Sequence, residues 1–241
     1  MGCDIHMWAE VRRGYPHIKE EQTRLKYEAE WHTVGRVFDN EYADTDAIPT
    51  LDEDGNSWGE MLTEHPYQQR NYNVFAMLAD VRNGSGFAGV DTGDGFVPIA
   101  APRGFPVDMS PFMQKRSEDV EHTPSWITLD ELNAYDWTQT TKHRGWVDTD
   151  QYKVFQDKGK PAEWSGGVSG GLVSHVTNAE MGQVVDAIVN LGNRHPYTQV
   201  EWQSTYADSA GSFYTKTLPR LREIRGMKNI IDLRLVFWFD S

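Results

Sequence analysis

The chain has 241 residues, 39% of them hydrophobic, with a mean hydropathy of −0.62 and a formal net charge of −13. That size fits one large domain or two small ones, with enough apolar content for a core beneath a broad polar surface. The acidic balance argues against duplex nucleic acid as a partner, because a phosphate backbone demands a basic footprint.

Cys3 is the single cysteine, so no intramolecular disulfide forms and a reducing compartment suits the chain. No apolar run reaches the length of a membrane helix or a signal peptide. Met1-Gly2-Cys3 looks like a dual-acylation start, but His6 stands where the myristoylation pattern wants Ser or Thr. The expectation is a soluble, cytoplasmic protein with no membrane contact.

In chain order, Ile5, Met7, Ala9 and Val11 alternate with Asp4, His6, Trp8 and Glu10, the period of a half-buried strand. Arg12 to Pro16 reads as a turn, and Leu25 to Phe38 as further strand material. From Asp39 to Glu60 there are eight carboxylates and no Lys or Arg. Such a run is a solvated loop in the ordinary case, and its spacing does not make a calcium loop. A helix is expected from Tyr72 to Arg82, with Asn71 as N-cap, Val74, Phe75, Leu78 and Val81 as its apolar stripe and Gly84 as its stop. Gly84, Gly86 and Gly89 match the spacing of a dinucleotide fingerprint. They follow a helix instead of leading from strand into helix, so a tight or flexible loop is expected there.

Residues Pro98 to Pro124 read as a long structured loop. Thr128 and Glu131 form a capping box for a short helix to Tyr135. Trp137 to Phe155 reads as strand and turn, followed by a second glycine region over Trp164 to Gly171. Asn178 is expected to cap a helix reaching Leu191, with Met181, Val184, Val185, Ile188 and Val189 inward. Thr198 to Ser204 suggests a strand, and a helix from Asp208 restarts at Pro219 with Leu218, Leu221 and Ile224 as its apolar side. At the end, Leu233, Leu235, Phe237 and Phe239 alternate with Arg234, Val236, Trp238 and Asp240. Both faces carry apolar residues, which suits a strand inside a sheet. The whole suggests one α+β domain over residues 1–241. Its mixed, mostly antiparallel sheet contains both terminal strands, with about four helices and long loops. Antiparallel pairing of the two ends would bring Asp240 near Cys3, Asp4 and His6.

Four stretches carry a resemblance: Gly2-Cys3-Asp4-Ile5-His6; Arg70-Asn71-Tyr72 with Phe75-Ala76 and Val81-Arg82-Asn83-Gly84; Ser125-Trp126-Ile127-Thr128-Leu129 with Glu131-Leu132; and Val236-Phe237-Trp238-Phe239-Asp240. Over nearly its whole length the chain resembles a group of uncharacterised bacteriophage and prophage proteins. The resemblance implies an accessory protein made in the cytoplasm of an infected bacterium, and it implies no particular reaction.

Asp4 and His6 lie on the same face of a strand, about 7 Å apart at the backbone. Asp-x-His in that setting can supply two ligands to a divalent metal, as in many hydrolases. Asp240, His122, His143 and His175 could complete a set, though none sits at a diagnostic spacing. The plainer reading is that Asp4 and His6 hydrogen-bond each other or loop backbone. Cys3 is not an N-terminal nucleophile, because removal of Met1 leaves Gly2 with the free amine. Arg70-Asn71-Tyr72 at a helix start suits a phosphate or carboxylate, or else is an N-cap beside a surface arginine. His143, Arg144 and Trp164, with Trp146, could add cation and stacking contacts or be ordinary core and rim.

The leading expectation is a pocket near the terminal strands for a nucleotide-like or phosphorylated small molecule. In an enzyme version, Asp4, His6 and Asp240 hold a metal or act as acid and base, Arg70 and Arg144 hold phosphate, and the reaction is phosphodiesterase-like hydrolysis. In a binding version the same groups sequester a host signalling nucleotide unchanged. In a third, the acidic Asp39–Glu60 surface binds and inhibits a host protein.

Overall fold

Both chain ends enter one sheet because each supplies a strand whose alternate residues must leave water. In the computed structural model, which describes residues 2–34, 66–120, 122–190 and 192–240, β1 (Ile5–Arg13) and β7 (Ile230–Phe239) pair antiparallel. Ile5 lies opposite Phe239 and Glu10 opposite Arg234, with one irregularity between Arg12 and Arg13. β2 (His32–Thr33) flanks β1 and β3 (His122–Thr128) flanks β7, so the order is β2-β1-β7-β3. β7 is thus an inner strand, as its two apolar faces require.

The inner face of this sheet, with Ile5, Met7, Ala9, Val11, Leu233, Leu235, Phe237 and Phe239, forms one side of the main core. Each of the larger of these side chains contributes roughly 1.5–3 kcal/mol by leaving water. The outer face is covered too. Trp8, Val236 and Trp238 pack against Phe112 and Met113 of α3 (Pro111–Arg116), a helix within the stretch expected to be all loop.

Across the inner face lies α2 (Tyr72–Ala79), in which Val74 to Ala79 are all buried. Asn71 caps it, its side chain accepting from Asn73 N at 3.0 Å. The helix stops earlier than the expected Arg82, because Asp80 turns left-handed (φ 59°) and its N–H closes on the last turn. The ring of Phe75 packs on that of Phe239 at 5.0 Å. α4 (Leu129–Ala134) opens at the Thr128–Glu131 capping box. α7 (Tyr206–Ala210), a π-helical turn over Phe213–Thr217 and α8 (Leu218–Arg225) complete the core, with Leu218, Leu221 and Ile224 inward as expected.

A second sheet, not foreseen as separate, is built from β4 (Thr140–Val147), β5 (Val173–His175) and β6 (His195–Thr205) in the order β4-β6-β5. β4 and β6 are antiparallel, while β5 and β6 are parallel and joined through α6 (Asn178–Val185). Val147, Val200 and Trp202 pack with Tyr152 of α5 (Thr149–Lys158) and with Met181.

Several expectations change. Within Leu25 to Phe38 the described residues give α1 (Glu21–Glu28) and only the two residues of β2 as strand. α1 buries none of its residues, so no apolar period marks it; helix-forming side chains free of Gly and Pro sustain it. The turn expected before Phe155 is instead α5. Asp148 caps it by accepting from Asp150 N and Gln151 N, and Gly159 ends it at φ 73°. Thr177, not Asn178, caps α6, through a capping box with Glu180. That helix ends at Val185, which leaves Ile188 and Val189 exposed instead of inward. The acidic Asp39–Glu60 stretch lies outside the described residues. Among those described, no helix is long and apolar enough to cross a membrane.

Candidate functional site

The pairing of β1 with β7 sets up the first cluster. Beyond the last paired residues, Asp240 N donates to Asp4 O at 3.2 Å and Asp4 N donates to Asp240 Oδ1 at 2.8 Å. The second oxygen of Asp240 meets His6 Nε2 at 3.0 Å. A carboxylate only accepts, so Nε2 carries the proton. Burial pushes the Asp240 carboxyl upward, but the hydrogen bonds from His6 and from the Asp4 amide prevail and hold it below its usual range. The His6 ring stacks on Trp238 at 5.7 Å, and Trp238 stacks on Trp8 at 4.5 Å.

Asp4 does not bond His6. Its carboxylate takes a two-pronged contact from Arg70, Nε to Oδ1 at 2.7 Å and Nη2 to Oδ2 at 2.5 Å. The Arg70 hydrogen bonds lower the Asp4 carboxyl below the ordinary value, and Asp4 raises Arg70 in turn. Gly2 makes room for this, since a Cβ there would fall 2.1 Å from Arg70 Nη1.

Arg70 also stands at the mouth of a cleft of about 680 Å³, within the size range of small-molecule sites. One wall is Arg70-Asn71-Tyr72 at the start of α2. Asn71 Nδ2 donates to Ser209 O at 2.9 Å, which ties this wall to α7. Tyr72 is held at its hydroxyl by Cys3 N at 3.1 Å and on its ring by the Arg82 guanidinium at 5.1 Å.

The facing wall comes from the two glycine loops. The first is a small hairpin in which Gly86 N donates to Val90 O at 2.7 Å and Thr92 N to Gly84 O at 3.0 Å. Its tip carries Phe87, 60% exposed, and Ala88 at φ 55°. The hairpin is pinned to β4: Asp94 N donates to Lys142 O at 2.8 Å and Arg144 N to Thr92 O at 2.7 Å. Only glycine fits at position 93, where a Cβ would lie 2.1 Å from Lys142 O. The second loop is pinned to the same strand by paired backbone bonds between Trp146 and Ser165, at 2.8 and 3.0 Å. Trp164, 39% exposed, lies across Gly145, where a Cβ would meet its ring at 2.5 Å. Asp80 and Arg82 share the left-handed backbone of Ala88, so three strained non-glycine residues lead from α2 to the loop tip. Thr123, Ala187 and Asn229, outside the cleft lining, share that backbone too, so the conformation by itself does not mark a site.

The lining is chemically one-sided. Among the described residues around the cleft, Arg70 is the sole cation and no carboxylate is present, in a chain whose net charge is −13. The rest are amides, hydroxyls, glycines, the small apolar side chains of Ala88 and Val90, and two exposed aromatic rings, Phe87 and Trp164.

Of the residues expected to bind ligand, Arg70, Asn71, Tyr72 and Trp164 therefore line one cleft. His143 and Arg144 do not. His143 is buried, stacked on Trp202 at 5.6 Å, and its Nε2 meets Ser209 Oγ at 2.9 Å. Burial lowers its basicity. Arg144, expected to hold phosphate, is committed to Glu201 at 2.7 and 2.9 Å and to Asp91 at 2.7 Å. As for a metal on Asp4 and His6, Asp4 spends both oxygens on Arg70. Among the described residues no group of three His, Cys, Asp or Glu side chains is placed to hold a metal ion. The sequence reading missed Phe87, Gly145 and Gly2. The only signal for Phe87 was its place within the glycine-rich run.

No protein-family model matches the chain, and no curated protein or solved structure matches it.

Proposed function

We propose that this is a small-molecule-binding protein whose cleft takes a nucleotide-like ligand with a planar ring and an anionic group. It works by sequestration in the cytoplasm of a phage-infected bacterium. The observation that carries the reading is the cleft's composition: among the described lining residues there are one arginine, no carboxylate and two exposed aromatic rings, in a chain of acidic balance. Within that lining an anion meets one positive group, Arg70, which the Asp4 carboxylate otherwise engages. The exposed rings offer stacking to a base.

Native mass spectrometry of the protein after exposure to a bacterial small-molecule extract tests this. The expected result is a bound mass of nucleotide size, released intact on denaturation and lost in Arg70→Ala. A wild-type protein that retains nothing, or an Arg70→Ala variant that retains the ligand unchanged, contradicts it.

A second reading has its own support. His6, oriented by the Asp240 carboxylate, has the geometry of a general base, so hydrolysis without a metal is the alternative. Recovery of a cleaved ligand from wild type and an intact one from His6→Ala would favour it.

A further inference from the structure

The arginine at the cleft mouth is already in use. Its Nε and Nη2 form a fork on the Asp4 carboxylate, the geometry that a ligand carboxylate or phosphodiester would itself present to a guanidinium. The two side chains are half exposed, 50% for Arg70 and 43% for Asp4, so exchanging one anion for another gives up only a surface ion pair. Asp4 can release Arg70 without opening the sheet. Its place beside the end of β7 is kept by its own backbone groups, Asp4 N donating to the side-chain Oδ1 of Asp240 and Asp4 O accepting from Asp240 N. One guanidinium also limits the ligand's charge. With no second cation among the described lining residues, a further negative charge on a ligand finds no second guanidinium in the lining and adds to its repulsion by a −13 protein.

Resting on the cleft being a ligand site, we infer that Asp4 is a built-in competitor for Arg70. The cleft takes a planar-ring ligand bearing a single negative charge, a phosphodiester or a carboxylate rather than a polyphosphate, and that charge displaces the Asp4 side chain. Asp4 thereby sets a threshold: weak anions leave the internal pair intact, and only a ligand that also stacks on the aromatic wall replaces it.

Isothermal titration of the full chain with 3′,5′-cyclic AMP, indole-3-acetate and ATP tests the inference. The first two carry one charge on a ring, as phosphodiester and carboxylate respectively, so their relative affinity separates the two sources of the anion. Removing the competitor in Asp4→Asn is expected to tighten the preferred monoanion by about fivefold, the order of one surface ion pair. Arg70→Ala is expected to weaken it by about tenfold or more, the loss of a two-pronged charged contact. ATP binds no tighter than cyclic AMP. If Asp4→Asn binds as wild type does or more weakly while Arg70→Ala still loses affinity, the competition is overturned and the cleft stands. Tighter binding of ATP than of cyclic AMP overturns the single-charge limit. No heat from any probe at millimolar concentration removes the cleft reading itself. Should Asp4→Asn fold poorly by circular dichroism, the Arg70 Nε resonance in the wild-type protein replaces it. That resonance moves on addition of the preferred probe if Asp4 is displaced, and a fixed resonance under saturation overturns the exchange.

Discussion

Glu10 has no exposed surface, and the residue opposite it on β7 is an equally buried arginine. Arg234 donates from Nε to Glu10 Oε2 at 2.8 Å and from Nη1 to Asp108 Oδ1 at 2.7 Å, and its guanidinium lies 3.9 Å from the Trp31 ring centre. Glu10 Oε1 accepts in addition from Ser110 N at 2.8 Å. Every arm of this network is satisfied, so its worth lies in what happens when one member is removed. Glu10→Leu leaves a buried guanidinium short of its main counter-charge and is expected to cost about 3 kcal/mol, the low end for a broken buried pair because Asp108 remains. Urea denaturation of Glu10→Leu and of the double variant Glu10→Leu/Arg234→Met checks this. The double variant should recover stability relative to the single one; if it is less stable still, the pair is a net stabiliser in its own right. At this scale the terminal cluster was legible in advance. Regular alternation in two strands fixes which residues share a face, and antiparallel pairing then delivers Asp240 to Asp4 and His6. The partnership of Arg70 with Asp4 was not legible, because it depends on where a segment 66 residues away is carried by the fold.

Elements whose ends are marked locally were the easiest to foresee. α4 begins at a capping box in which Thr128 Oγ1 accepts from Glu131 N and Glu131 Oε2 accepts from Thr128 N at 2.9 Å. Arg103 clamps the same carboxylate, and its hydrogen bonds lead the influences that hold Glu131 down at about 2 against an ordinary 4.5. A folded-state value below the unfolded one means that the unfolded chain takes up the proton more readily as pH falls. The stabilisation is therefore complete above about pH 4.5 and drains away as pH drops towards about 2. Thermal melts across that window should show Tm falling less steeply in Glu131→Gln than in wild type, and identical slopes would contradict the assignment. α5 carried end signals of the same kind, Asp148 and Gly159, but its sequence between them has no clear apolar stripe and buries only Tyr152. Strand character in the residues before it overrode them. α1 had neither burial nor a capping side chain, so nothing in its pattern competed with the strand reading.

For the molecule as a whole, the terminal strands bring one arginine's partner to the mouth of a cleft that other parts of the chain build. Its walls come from the start of α2 and from two glycine loops hung on the edge of β4, segments far apart in sequence. The glycines were visible as close-packing positions, but their convergence on one strand was not, since it rests on bridges between Gly93 and His143 and between Trp146 and Ser165. The central claim is that ligand binds in this cleft and not on the aromatic outer face of β1 and β7, where His6, Trp8 and Trp238 stack. The indole N–H resonances of the 15N-labelled protein separate the two places, once those of Trp164, Trp8 and Trp238 are assigned from single Trp→Phe variants. On titration with 3′,5′-cyclic AMP, the Trp164 resonance is predicted to shift while those of Trp8 and Trp238 stay in place. Movement of Trp8 and Trp238 with a stationary Trp164 would contradict the account and put the ligand on the terminal strands.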